Sequence, residues 1–166
     1  MLPSGQHKSE MLAVLQQVIQ LIDGREFGPE LQAELNSQFG PVSDTFMALS
    51  SLLKAGVEEG WVAYDEVGGA DYRRGRIAQP SAETAQLSVE SGLLRDVKGQ
   101  YHCHTFGEIN MIIPLEDGAQ FCGHGAGWMV FPAMSEHFPT VTGKALMMYF
   151  LPHGEIEYRA PRSATA

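Results

Sequence analysis

The feature that most restricts the fold of this chain is a change of period near Trp61. Before it, apolar residues recur at three- and four-residue steps, the spacing of one face of an amphipathic helix. In "KSEMLAVLQQVIQLIDGRE" these are Met11, Leu12, Leu15, Val18, Ile19 and Ile22, with Ser9 placed to cap the start and Gly24 the end. "GPELQAELNSQFG" predicts a second helix between Pro29 and Gly40. "VSDTFMALSSLLKAGVEEG" predicts a third, with Phe46, Leu49, Leu53 and Val57 on one side. From Trp61 onward, short runs rich in β-branched and aromatic residues are broken by glycine, proline or acidic turns. They are "GWVAYDE", "RRGRIAQP", "AQLSVES", "GQYHCHTF", "EINMIIPL", "GAQFCG", "GWMVFP" and "KALMMYFLP". Strands about ten residues apart predict an antiparallel sandwich or barrel rather than a βαβ sheet. The expected organisation is an N-terminal helical segment over residues 1–59 that packs on the barrel or on a partner, a β-barrel over 60–158, and a C-terminal tail over 159–166.

A chain of 166 residues has room for one sizeable core, and its formal net charge of −9 repels phosphate backbones, which argues against a nucleic-acid partner. Cys103 and Cys122 make no CxxC pair and no disulfide framework. "MLPSGQHKSE" lacks the charged-then-apolar layout of a signal peptide, and no apolar run approaches a membrane span. The expectation is a reduced, cytoplasmic protein with no membrane contact. Exposed sheet edges are often covered by a second copy, so a homodimer is the default expectation.

The chemistry concentrates in "YHCHTFGE". His102, His104 and Glu108 share parity, so on a continuous strand all three side chains project to one side and Cys103 to the other. Two imidazoles and a carboxylate converging from one backbone suit zinc, iron, manganese or nickel. Such a site needs a further ligand from elsewhere, and His137, at the end of "PAMSEH", follows an independent strand. A single histidine on a strand is more often a hydrogen-bonded polar residue; the clustered spacing favours a site.

"HCHTFGE" together with "PAMSEH" resembles the two metal-binding motifs of the cupins, small jelly-roll barrels. The resemblance implies a cupin-like barrel behind the helical segment and a divalent metal on His102, His104, Glu108 and His137. Two positions depart from the pattern: the glycine that usually follows the glutamate is displaced to Gly118, and Met134 stands where glycine is common. A closer resemblance runs through "GVEEGW", "RRGRIAQP", "HTFGEINMIIPL", "GHGAGWMVFP" and "HFPTVTGKALMMYFLPHGEIEY". This succession is similar to the 4-hydroxylaminobenzoate lyases, which implies conversion of 4-hydroxylaminobenzoate and water to 3,4-dihydroxybenzoate and ammonia in the degradation of nitroaromatic acids.

Further residues are candidates for that chemistry. "YRRGRI" sets Arg74 and Arg76 on one strand face and Arg73 on the other, and an inward guanidinium could clamp a benzoate carboxylate. Arg76 is the first choice and Arg74 the second; surface pairing with acidic neighbours is the plainer use of either. His124, flanked by glycines in "GHGAGWMVF", could move protons or simply sit in a turn, and with Glu108 it is a catalytic candidate. Trp128 could wall an aromatic ring, although core packing is its commoner role. Two other classes stay open: a ring-cleaving dioxygenase or other metal-dependent cupin enzyme, and a non-enzymatic module that binds small molecules.

Overall fold

The structure, a computed structural model, describes residues 4–159. Three helices come first: α1 (Ser4–Ile22), α2 (Pro29–Phe39) and α3 (Asp44–Glu59). Then follow the strands β1 (Asp65–Glu66), β2 (Tyr72–Ala78), β3 (Leu87–Lys98), β4 (His102–His104), β5 (Glu108–Pro114), β6 (Gln120–Phe121), β7 (Gly127–Phe131), β8 (Ser135–His137), β9 (Thr140–Pro152) and β10 (Glu157–Tyr158). The larger sheet has the order β1-β2-β3-β9-β5-β7, with β6 also on β9; the smaller has the order β10-β4-β8. All these pairings are antiparallel, so the expectation of a mainly β, jelly-roll architecture behind N-terminal helices is met.

Local signals explain most boundaries. Pro29 opens α2, and the Ser43 hydroxyl accepts the Phe46 N–H at 3.1 Å to cap α3. Ser9 does not cap α1, which already runs from Ser4; its hydroxyl bonds back to Gly5 O inside the helix. The run "GWVAYDE" is largely not a strand. Gly60 ends α3 in the left-handed region (φ 87°), and the N–H groups of Gly60, Trp61 and Val62 all return to Gly56 O. A Cβ on Gly56 would meet Val62 at 2.4 Å, so glycine permits this wrap. Conversely, β3 extends through "GLLRDVK", because β9 pairs with it along its whole length. Of the tail expected over 159–166, Arg159 is held by Glu136 and Glu157, and residues 160–166 lie outside the described residues.

Alternation along β2, β3, β9 and β5 gives the larger sheet two different faces. One presents Ile77, Val89, Leu93, Met111, Met148 and Phe150 to the helices, in a single core with Leu15, Leu31, Leu35 and Leu53. Each such side chain contributes roughly 1.5–3 kcal/mol when fully buried. The other face carries Ile112, Val141, Ala145 and Met147 with Phe121, and turns toward the smaller sheet. The helices also close an edge. Strand β7 is the last in its sheet, and the N–H of Val130 donates to Gln32 Oε1 at 2.8 Å. One turn later on α2, Asn36 accepts from Trp128 N–H and donates to Trp128 O, at 2.8 and 2.9 Å. An amide at i and another at i+4 on the helix thus replace a missing strand.

Replacing Asn36 by alanine strips both backbone groups of Trp128 of these partners. We expect a loss of about 2 kcal/mol and a melting temperature lower by ~4–8 °C in thermal denaturation; an unchanged melt would show that the edge is satisfied in another way.

Candidate functional site

The smaller sheet brings the histidines together. His102 and His104 alternate on β4, and β8 pairs with that strand so that His137 lies opposite His102. The three Nε2 atoms stand 3.0 Å (His102 to His104), 3.0 Å (His102 to His137) and 2.8 Å (His104 to His137) apart. Glu108 completes a group whose candidate ligand atoms all fall within 4.8 Å of one another. It arrives from the larger sheet. The chain turns between β4 and β5, with Gly107 at φ 96° and its N–H on His104 O. Continuous strand parity is therefore not what aligns Glu108 with the histidines; a turn between two sheets does so.

The far side of each ring shows what the near side is for. His102 Nδ1 lies 3.1 Å from Gln100 O, a contact that places its proton on Nδ1 and frees the Nε2 lone pair. His137 Nδ1 contacts Cys122 Sγ at 3.6 Å. His104 Nδ1 has Glu108 Oε2 at 2.7 Å, off the line of its N–H, so this buried nitrogen has no aligned hydrogen bond among the described residues. Three imidazole nitrogens cannot satisfy one another: at least one contact sets like against like, whichever tautomers are chosen. A cation at their centre removes that conflict. The donor set fits a divalent first-row metal.

The cluster opens into a cavity, partly open to solvent, between the two sheets. His102, Glu108, Arg74, Asn110, Tyr149 and Tyr158 supply polar wall, and Leu94, Val97, Phe121, Val141 and Met147 supply apolar wall. Arg74 is half-buried, donates to Tyr158 Oη at 3.0 Å, and has no carboxylate within ion-pair distance among the described residues. Burial, and then the nearby Glu108 carboxylate, push the Tyr149 hydroxyl far above its usual range, so it stays protonated.

The other candidates lie elsewhere. Arg76 shares the inner sheet face with Arg74 but is exposed and paired with Glu90 at 2.8 Å, outside this cavity. Trp128 is wholly buried on the helix side, between Phe46 and Phe150, and donates to Phe39 O. His124 sits in the turn before β7 with Nδ1 against Gly125 O, away from the cavity wall. The sequence reading passed over Asn110, Tyr149, Tyr158 and Cys122. Asn110 was within reach, since it shares parity with Glu108 two residues earlier.

The fold is a jelly roll of the cupin kind, and beside its cavity stands a group of four residues that could hold a metal ion. The family model for 4-hydroxylaminobenzoate lyase, PnbB, matches residues 13–158. The 4-hydroxylaminobenzoate lyase of Pseudomonas putida is 35% identical over 167 residues, covering 91% of this chain and 95% of that protein. That of Nocardioides sp. (strain LMS-CY) is 38% identical over 145 residues, covering 82% and 86%. The chain belongs to the 4-hydroxylaminobenzoate lyase family and is an enzyme with lyase activity. Its fold is also that of a chain from the crystal structures of the DMSP lyases RdDddP and RnDddQII, at 12% identity and a TM-score of 0.56 over 95% of this chain and all of that one. No helix is long and apolar enough to cross a membrane.

Burial, then the neighbouring His104, lower His102 from 6.5 to about 4; burial, then His104 and His102, lower His137 to about 3. Both rings are neutral, and ligand-competent, at pH 7. Between these values and 6.5 the unfolded chain binds more protons than the folded one, so folding stability rises with pH across that window. We expect the metal-free protein to lose melting temperature as pH falls from 6.5 toward about 4, with a shallower slope in His137→Gln; identical slopes would show that His137 is already protonated when folded.

Proposed function

We propose that this enzyme converts 4-hydroxylaminobenzoate and water to 3,4-dihydroxybenzoate and ammonia, with a divalent metal held by His102, His104, His137 and Glu108. The observation that carries the reading is one cavity that reaches the histidine cluster through His102 and Glu108 and is lined on its other side by Arg74, which has no carboxylate partner among the described residues. A para-substituted benzoate has matching ends. Relatives named for that substrate are similar to this chain in sequence over most of their length.

The reaction is redox-neutral. The N–O bond breaks heterolytically and its oxygen leaves as water, so nitrogen is reduced as the ring is oxidised. One water adds to the ring carbon beside the C–N carbon, a second hydrolyses the resulting imine, and loss of the ring proton restores aromaticity. Net consumption is one water. The bound metal would supply Lewis acidity for a poor leaving oxygen or for the attacking water. The chain's own groups do the rest. Arg74, steadied by Tyr158, binds the carboxylate. Leu94, Val97, Val141 and Met147 pack the ring and exclude bulk water. Glu108, beside His104, would hold the metal with the three histidines, and the proton that the leaving oxygen takes up comes from water. His124, turned away from the cavity, has no part in this scheme.

Elemental analysis of fresh protein followed by an anaerobic assay tests the reading. We expect about one metal per chain and turnover without oxygen; strict oxygen dependence would indicate a dioxygenase instead. His104→Ala should lose metal and activity together, and full activity in that metal-free variant would sink the metal's part. Arg74→Ala should raise KM by ~10–100-fold, the worth of a charge-assisted hydrogen bond, whereas Arg76→Ala should leave it nearly unchanged.

A further inference from the structure

Asn110 lies two residues beyond Glu108 on β5, and both side chains line the cavity. It is 1% exposed, and its Nδ2 has no hydrogen-bond partner among the described residues. Its cross-strand neighbours are Tyr149 on β9 and Met129 on β7, and neither engages the amide. A buried donor left unpaired is destabilising, and such groups are rare in folded proteins. An apolar side chain of the same size would serve the fold better at this position. The unpaired donor is therefore explained by what enters the cavity.

Its place in the sheet says which part of a ligand it meets. Arg74 is on β2, three strands from β5 in the order β2-β3-β9-β5. At ~4.8 Å per strand the two backbones are ~14 Å apart, a gap that the arginine side chain and one substituted ring fill. Asn110 shares its strand with Glu108, so it stands at the reacting end, opposite the carboxylate clamp.

We propose that Asn110 contacts the substrate, its Nδ2–H donating to the oxygen of the hydroxylamino group, and so selects N-oxygenated aryl carboxylates over the corresponding amines. This assignment rests on the substrate proposed above. As the N–O bond breaks, the bonding pair goes to that oxygen, which takes a proton and departs as water. A fixed donor stabilises the charge that grows there.

The test compares wild-type protein, Asn110→Leu and Asn110→Asp. For each it measures kcat and KM for 4-hydroxylaminobenzoate, the inhibition constant of 4-aminobenzoate, metal content and melting temperature. The amine lacks only the oxygen. In Asn110→Leu, kcat should fall ~10²-fold and KM should rise ~10-fold, with inhibition by the amine and metal content unchanged. Its melting temperature should hold or rise by ~2–4 °C, the reverse of what loss of a structural asparagine does. Asn110→Asp, which keeps the shape and removes the donor, should show the same kinetic loss. A lower melting temperature with kinetics intact, or equal weakening toward both compounds, would overturn the assignment to Asn110 alone. A wild-type protein that neither turns over the hydroxylamine nor is inhibited by the amine would overturn the substrate reading, and this assignment with it.

Discussion

Everything in this molecule depends on the larger sheet being buried on both faces by different means. Its central ladder joins the 12-residue β3 to the 13-residue β9. Alternation along those strands sends Val89, Leu93, Met148 and Phe150 to one side and Met147 and Tyr149 to the other. The first side is sealed by helices and is plain hydrophobic core. The second is only partly filled, because the smaller sheet stands off it and leaves the cavity. A sheet this rigid can hold polar groups such as Glu108 and Asn110 in fixed positions, since its stability comes from the opposite face.

The site shows the same division of labour. The smaller sheet supplies three imidazoles whose near nitrogens converge, with the far nitrogens of His102 and His137 against a carbonyl and a thiol and that of His104 close to a carboxylate but not aligned with it. The larger sheet supplies the acid, the amide and the arginine. Neither sheet alone makes a site. Chemistry is possible where they face each other, in a space only partly open to solvent.

Much of this could be read from the residues. Helix starts at Pro29 and Ser43 were legible because capping and proline geometry are local. The metal-ligand candidates were legible because two of them alternate on one strand. Less could be said where distant contacts decide. "GWVAYDE" has strand-like composition, yet the free carbonyl of Gly56 captures three successive N–H groups and curls the chain. β8 is only three residues long and exists because β4 pairs with it. Arg74 and Arg76 share a face and a residue type; Tyr158 beside Arg74 and the cross-strand Glu90 beside Arg76 separate their surroundings.

The sequence by itself determined the class of element in most of each half, the common side of His102 and His104, and the common face of Arg74 and Arg76, because period, caps and parity act within a few residues. Tertiary structure alone decided which arginine meets the cavity, that Trp128 belongs to the helix core, and that His124 stays outside. Those outcomes turn on which strand lies beside which, and pairing partners such as Glu108 and Phe131, or Arg76 and Glu90, are set by chain segments far apart in the sequence.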